Sequence, residues 1–423
     1  MPVTIVAGAQ WGDEGKGRIV DLLAREADIV IRCQGGPNAG HTVINERGRF
    51  VLHSVPSGIL NPGVRCIIGA GTVINPAGLV EELQGLIDTG VDIGGLLISE
   101  RANLIMPYHP LLERLDEQRR GAGAKIGSTG RGIAPAYVDK AARRAFRACD
   151  LLDLASLRGR LADELIQRNR LFEMEGQAAL GVDEAMAEIE PAAAFLAPFV
   201  GDTVEPIADS LSAGKRVMLE GQLGVMRDLD WGAYPFVTSS SPTPAGMLAG
   251  AGVPPGAVDR IIGVVKAYTS AVGAGPFPTE LDGAQGEMLR EVGKEYGATT
   301  GRPRRCGWFD AVAVAWAMKV AGFTEIALTK IDVLDGIDRL PMCTSYRDRG
   351  QSLAAFPTTE VMARVEPVYE ESAGWSTGTS PARTMDALPA EARSYIDEIE
   401  RRIAVPISMV SVGPERDSII ARA

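Results

Sequence analysis

Residues 3–7 form a short apolar run rich in β-branched side chains, and the glycine-rich segment after it leads into Ile19, Val20, Leu22 and Leu23, which have helical spacing. The pattern predicts strand, loop, helix. A second apolar run over 29–33 ends in Gln34, Gly35 and Gly36, so the opening reads as a βαβ unit with functional loops at its strand ends. Later runs at 66–68, 216–219, 260–265 and 325–328 read as further buried strands, and the predicted fold class is α/β. Residues 151–199 are rich in Ala, Leu, Glu and Arg with few strand formers, which predicts a helical subdomain over about 151–200. The stretch 238–256 is crowded with Ser, Pro and Gly yet too apolar for a plain linker, and is expected to be a long ordered loop near the site.

Charge and cysteine content narrow the function. The balance of 43 Lys+Arg against 54 Asp+Glu leaves a net charge of -11, the wrong sign for a protein that gains affinity by neutralising nucleic-acid phosphates. The five cysteines are scattered, odd in number and without a CxxC pair, as expected of free thiols in a reducing compartment. No basic and apolar leader opens the sequence, and no apolar run approaches the roughly 18 residues of a membrane span. A cytoplasmic location is expected.

Four loops carry the candidate chemistry. Gly12-Asp13-Glu14-Gly15-Lys16-Gly17 puts three glycines and a lysine between strand and helix, where backbone N–H groups and the positive helix end favour a phosphate. It departs from the Walker pattern, with Gln10 and Gly17 where that pattern has Gly and Ser or Thr. Asp13 is an oxygen ligand suited to magnesium, and Lys16 is a point charge for phosphates. The segment Thr329-Lys330-Ile331-Asp332 resembles the base-reading motif of guanine-nucleotide proteins, in which a carboxylate accepts from the ring N–H and the exocyclic amine together; a capped turn after a strand is its plainer reading. The stretch from Gly297 to Arg305 combines flexible backbone, two hydroxyls and three guanidiniums, and suits either a small dicarboxylate or a solvated basic turn. Finally, the glycine-rich loop from Gly35 to Thr42 presents His41, a candidate general acid, whereas His53 and His109 read as structural.

In this order the loops resemble the adenylosuccinate synthetase family, nearly end to end. The resemblance rests on Gln10 to Gly17, Asn38-Ala39-Gly40-His41-Thr42, Ser128-Thr129-Gly130-Arg131-Gly132-Ile133, Gly275-Pro276-Phe277-Pro278-Thr279-Glu280, the arginine loop, and Thr329 to Leu334. It implies one large domain over 1–423 around a central, mostly parallel, P-loop-like sheet, acting as a homodimer. It also implies a GTP-dependent ligase that joins L-aspartate to IMP through a 6-phosphoryl intermediate. Asp13, His41 and Lys16 would be catalytic, with Mg2+ held by Asp13 and the carbonyl of Gly40. GTP would meet Gly12, Glu14, Gly15, Lys16, Gly17, Arg18, Gly40, Thr42 and Arg304, with Lys330, Ile331, Asp332, Ser411, Val412 and Gly413 around its base. The nucleotide substrate would meet Asp13, Asn38, Ala39, His41, Thr129, Leu223, Thr238 and Arg302, with Arg143 reaching its 5′-phosphate across the dimer. Aspartate would be held by Ala298, Thr299, Thr300, Gly301, Arg302 and Arg304.

The chain departs from the family pattern around the nucleotide substrate. Glu220-Gly221-Gln222-Leu223-Gly224 stands for the family's Glu-Gly-Ala-Gln-Gly, whose glutamine helps recognise O6 and the forming phosphate. Leu223 cannot donate a hydrogen bond, and Gln222, one place early, is expected on the opposite face of an extended segment. Ala271 stands where the family usually has arginine, Pro37 replaces a polar residue, and Trp231 and Ala134 are further changes. Either an ordinary synthetase has drifted locally, or the chain ligates aspartate to a modified 6-oxopurine or related nucleotide. A regulatory GTPase would share the phosphate loop and Asp332 but has no use for the arginine loop.

Overall fold

A computed structural model describes residues 2–45, 48–121, 125–297, 301–353, 355–415 and 417–422. In chain order the central strands are β1 (Val3–Gly8), β2 (Ile29–Arg32), β3 (Arg65–Ile68), β4 (Leu96–Ser99), β5 (Val200–Gly201), β6 (Val217–Gly224), β7 (Val258–Lys266), β8 (Glu325–Thr329), β9 (Ile407–Ser411) and β10 (Ile419–Ala421). They form one sheet in the order β10-β9-β8-β7-β1-β6-β2-β3-β4-β5, parallel throughout except for β10. Parallel strands need crossovers, and helices supply most of them, covering both faces.

The apolar runs are continuous because both faces are buried. Val3, Ile5 and Ala7 of β1 enter one core, with Ile29, Ile31, Val217 and Leu219 from the neighbouring strands. Val6, Val30 and Met218 point into the other, against Ile19 and Val20 of helix α1 (Lys16–Ala24). That second core also receives the helical segment predicted near 151–199, which folds as α2 (Leu154–Met174) and α3 (Val182–Leu196) and buries Leu157, Leu161, Ile189 and Leu196.

Two expectations need correction. Residues 238–256 are not one long loop, because Pro244–Ala251 is helical. Pro244 has the φ of a first helical turn, Gly252 (φ 72) ends the helix in left-handed conformation, and Met247 and Ala251 are drawn into the core. Strand β6 continues past 219 to Gly224, and Leu223 takes φ 61, so simple alternation fails at the end of the strand. An antiparallel unit not visible in the sequence pairs Arg339–Asp348 with Glu366–Ala373. Among the described residues no helix is long and apolar enough to cross a membrane.

The C-terminal ends of β1, β6, β2, β7, β8 and β9 share one edge of the sheet. Three of the loops picked out above, those after β1, β2 and β8, leave this edge, at the position where open parallel sheets bind ligands.

Candidate functional site

The phosphate loop leaves β1 and enters α1 through Gly15, whose φ of 91 suits glycine. No acidic side chain lies in the first turn of α1, so its N–H groups and dipole are available to an anion. Glu14 faces inward and is fully buried; Gly12 N donates to it at 2.9 Å, Gln10 N at 3.1 Å and Lys16 Nζ at 2.5 Å. It therefore shapes the loop and holds Lys16. Gly17 has a steric reason to be glycine: a Cβ there would meet His41 Cβ at 3.1 Å and the Thr42 carbonyl at 3.3 Å. The backbone that carries Gly40, His41 and Thr42 thus lies against the start of α1. Asp13 is the acidic residue of the loop that stays accessible, with a side chain 36% exposed.

A buried polar chain positions His41. Its Nδ1 lies 2.5 Å from Glu220 Oε1, and the same carboxylate accepts from Ser57 N and Oγ, each at 2.7 Å. Burial lowers the His41 pKa against the pull of Glu220, with the charges of Arg32 and Lys16 adding to the fall. Burial alone would raise Glu220, but its bonds to His41 and Ser57 and the charge of Arg32 hold it below the usual carboxylate value. A charged Glu220 requires a proton on Nδ1, so in neutral His41 the accepting nitrogen is Nε2. Gln222 Oε1 accepts from Arg32 Nη2 at 2.6 Å, and Gln222 Nε2 donates to Asn38 Oδ1. Gln222 therefore reaches the Asn38 loop from its own place, while Leu223 turns toward Gly12. The Arg131 guanidinium donates to the Pro37 carbonyl, drawing the loop that carries exposed Thr129 to the same side.

The base-reading and arginine loops meet on one carboxylate. Glu295, fully buried, accepts from Lys266 Nζ at 2.8 Å, Lys330 Nζ at 2.7 Å and Arg304 Nη1 at 2.7 Å, and also from the Tyr268 hydroxyl. Burial acts to raise its pKa, and the three cations hold it well below the ordinary value. Arg304 also brings Nε to 2.8 Å from Asp13 Oδ2, an ion pair between the arginine and phosphate loops. Thr329 Oγ1 donates to the Glu14 carbonyl at 2.6 Å, which fastens the base-reading loop to the phosphate loop. Beside this junction Asp332 Oδ1 and Arg18 Nη1 are both buried without a hydrogen-bond partner. Burial raises the Asp332 pKa and lowers that of Arg18 to about 10, each countered in part by the other's charge. Ser411 ends β9, the neighbour of β8, Val412 and Gly413 follow it, and all three are buried.

Most of the residues named from the sequence therefore gather at one edge. Ala298, Thr299 and Thr300 lie outside the described residues. Gly301 and Arg302 are exposed, Ile331 is buried behind its loop, and Ala39 is buried beneath Asn38. Thr238 N donates to the Arg227 carbonyl at 2.9 Å. Arg143 is exposed, with φ 61, just after helix Ile133–Ala141. Arg305, the third guanidinium of its loop, is committed to Glu280, with Nε donating at 2.7 Å. Sequence reasoning missed Arg32, Glu220, Lys266 and Glu295. A signal existed for the first three, since each is a charged residue near the C-terminal end of a buried apolar strand, where burial demands a partner. His109 is buried, with Nε2 2.9 Å from Asp139 Oδ2.

Among the described residues there is no cluster of three or more His, Cys, Asp and Glu side chains able to hold a metal. Magnesium in phosphoryl-transfer sites needs less, because one or two protein oxygens suffice where phosphates and water complete the shell. Asp13, with a side chain 36% exposed, offers one such oxygen.

The family described as adenylosuccinate synthetase matches residues 5–420. The chain is 51% identical to the adenylosuccinate synthetase of Moorella thermoacetica over 99% of each sequence. It is also 51% identical to that of Thermomicrobium roseum, over 100% of this chain and 99% of the relative. A solved structure of fully ligated adenylosuccinate synthetase from Plasmodium falciparum superposes over the whole of both chains with a TM-score of 0.94 at 34% identity.

Proposed function

The chain belongs to the adenylosuccinate synthetase family, and from that premise we infer how its own residues carry out the family's reaction. It is a GTP-dependent ligase that joins L-aspartate to IMP, yielding adenylosuccinate, GDP and phosphate, with Mg2+ required and a dimer as the usual assembly. The alternative of a modified nucleotide substrate has no support among relatives at 51% identity that carry the ordinary name. The observation that best supports the residue assignments is the pair of buried, unpartnered atoms, Asp332 Oδ1 and Arg18 Nη1, beside the start of a helix shaped for phosphate. A guanine nucleotide supplies partners for that carboxylate and an anion for that helix.

In the first step Asp13 takes the proton from N1 of the 6-oxopurine, and O6 attacks the γ-phosphorus of GTP. The O6–P bond forms, the bond to the β,γ-bridging oxygen breaks, and its electron pair leaves on GDP. Lys16 and the N–H groups at the start of α1 bear on the phosphates. Magnesium, when bound, neutralises phosphate charge; Asp13 and the Gly40 carbonyl would hold it. His41, aligned by Glu220, gains a proton as the phosphate dianion approaches and then donates from Nε2 to a phosphoryl oxygen. In the second step the amine of aspartate attacks C6 and phosphate leaves. Arg302 and Arg304, with Gly301 and the hydroxyls of Thr299 and Thr300, hold the carboxylates. Asn38, Ala39, Thr129 and Thr238 line the nucleotide site, and Arg143 of a second copy reaches the 5′-phosphate. We assign the protein to the cytoplasm, and residues 1–423 to one domain with a helical subdomain within it.

The test is to mix the protein with magnesium, GTP, aspartate and a panel of 6-oxopurine nucleotides, following products by mass spectrometry. Adenylosuccinate from IMP, with one GDP per product, is expected. GTP hydrolysis without aspartate, or preference for another nucleotide, would overturn the reading.

A further inference from the structure

Two of the departures from the family pattern, Leu223 and Ala271, lead to Arg227. Leu223, in the glutamine position, packs toward Gly12, its Cδ2 3.4 Å from where a Cβ on that residue would lie, and offers no donor. Four residues further on, Arg227 Nη1 donates to the Phe236 carbonyl at 2.5 Å and Nη2 donates to the Val272 carbonyl. Nη1 also approaches the Ala274 carbonyl at 3.5 Å. Among the described residues these are the bonds of the guanidinium, all made through its Nη atoms, and they tie segment 236–238, which includes Thr238, to segment 272–274. Ala271, where the family carries arginine, adjoins Val272, so a guanidinium reaches the backbone beside that position from residue 227.

All of these partners are neutral carbonyls. The guanidinium lies in the attractive field of the Asp13 carboxylate and the repulsive field of Arg305; burial lowers its pKa to about 10, so it stays charged at neutral pH. A guanidinium whose hydrogen bonds all go to neutral carbonyls keeps its charge free to attract an anion. The other guanidiniums of this wall are engaged: Arg304 is held between Asp13 and Glu295, and Arg305 is held by Glu280. In a 6-oxopurine, N1–H and C6=O are neighbours on the ring, so a group that reads O6 must stand on the same side of the cleft as the base that takes the N1 proton.

We propose that Arg227 reads the 6-oxygen of the nucleotide in this chain and stabilises the charge that arrives there with the phosphoryl group, replacing the glutamine that the family has at position 223. The assignment rests on the reading of Asp13 and IMP given above. As O6 bonds to the γ-phosphorus and GDP departs, the phosphoryl oxygens carry negative charge to the purine edge, where a guanidinium can donate a charge-assisted hydrogen bond.

The experiment compares the unaltered protein with Arg227→Leu, Arg227→Lys, Leu223→Gln and the double variant Leu223→Gln/Arg227→Leu, measuring kcat and KM for each substrate together with melting temperature. Arg227→Leu is expected to lower kcat with IMP by about 100-fold while the KM for GTP and aspartate change less than about twofold, and Leu223→Gln should restore about tenfold or more of that loss. Arg227→Lys, which keeps the charge without the fork, should fall between them and remain informative if the leucine variant does not fold. The proposal is overturned if Arg227→Leu keeps kcat/KM for IMP within about threefold, or if Leu223→Gln restores nothing and activity follows melting temperature across the set. Failure of the unaltered protein to make adenylosuccinate would overturn the functional reading and this assignment with it. An active protein indifferent to Arg227 overturns this assignment alone.

Discussion

Replacing Glu295 by glutamine removes one negative charge from among three cations while keeping shape and one acceptor oxygen. In the native arrangement Lys266, Lys330 and Arg304 all donate to Glu295 within 2.8 Å, and the carboxylate is fully buried. Leaving buried charges without their partner costs about 3–5 kcal/mol. The loss is limited because burial already pushes Lys266 to about 8 against the attraction of Glu295, so it can release its proton once the carboxylate is gone. For a chain of this length the melting entropy is roughly 0.9 kcal/mol/K, so the melting temperature should fall by about 3–6 °C. The functional effect has a distinctive shape, because Lys330 belongs to the base-reading loop and Arg304 to the arginine loop. Each loses a charge-assisted hydrogen bond of about 1.5–3 kcal/mol, part of which fixes its position. Steady-state kinetics of Glu295→Gln should therefore show the KM for GTP and for aspartate rising together, each by about tenfold. If only one rises, or both stay within about twofold while the melting temperature falls, Glu295 is a structural carboxylate and does not couple the two loops.

Three further outcomes follow from individual groups. Asp332→Asn should raise the KM for GTP by about 10- to 100-fold and improve use of xanthosine triphosphate, because an amide N–H complements the 2-carbonyl of xanthine; an unchanged preference for GTP would remove Asp332 from base recognition. His41 should titrate below 6.5 in the free protein, since burial is the largest influence on it, and shift upward when IMP and a non-hydrolysable GTP analogue bind; NMR of the imidazole carbons measures both, and an unchanged or lower value with ligand contradicts its role as donor. Burial raises the carboxyl of Asp310 to about 6, above roughly 3.9 in an unfolded chain, so the folded state holds the extra proton and stability from this group is lost as pH rises between those values. Asp310→Asn should accordingly gain stability relative to the unaltered protein on going from pH 4 to pH 7, by up to about 3 kcal/mol, as followed by thermal unfolding; a pH-independent difference would contradict the assignment.

How much could be read from the sequence depended on whether the signal was local. The strands showed themselves because a parallel sheet covered on both faces makes continuous apolar runs, and the βα turn after β1 carried its own glycine code. The helix Pro244–Ala251 was hidden because its Ala, Gly and Met content is decided by burial more than by periodicity. The loops that bind were legible one by one, and their contacts were not. Nothing near Glu295 in sequence announces that residues 266, 304 and 330 converge on it, since that meeting joins two strand ends of the central sheet to the arginine loop. Gln222 illustrates the limit of strand alternation: the rule sent it away from the site, whereas the left-handed turn at Leu223 goes with a Gln222 side chain that reaches Asn38.

The central claim is that IMP is activated by transfer of the γ-phosphoryl group to O6 before aspartate attacks. IMP labelled with oxygen-18 at the 6-position, turned over with GTP, magnesium and aspartate, tests it directly. The account predicts that the released inorganic phosphate carries the label while adenylosuccinate has lost it. Unlabelled phosphate accompanying adenylosuccinate would contradict the account, because O6 would then have left by a route that never joined it to phosphorus.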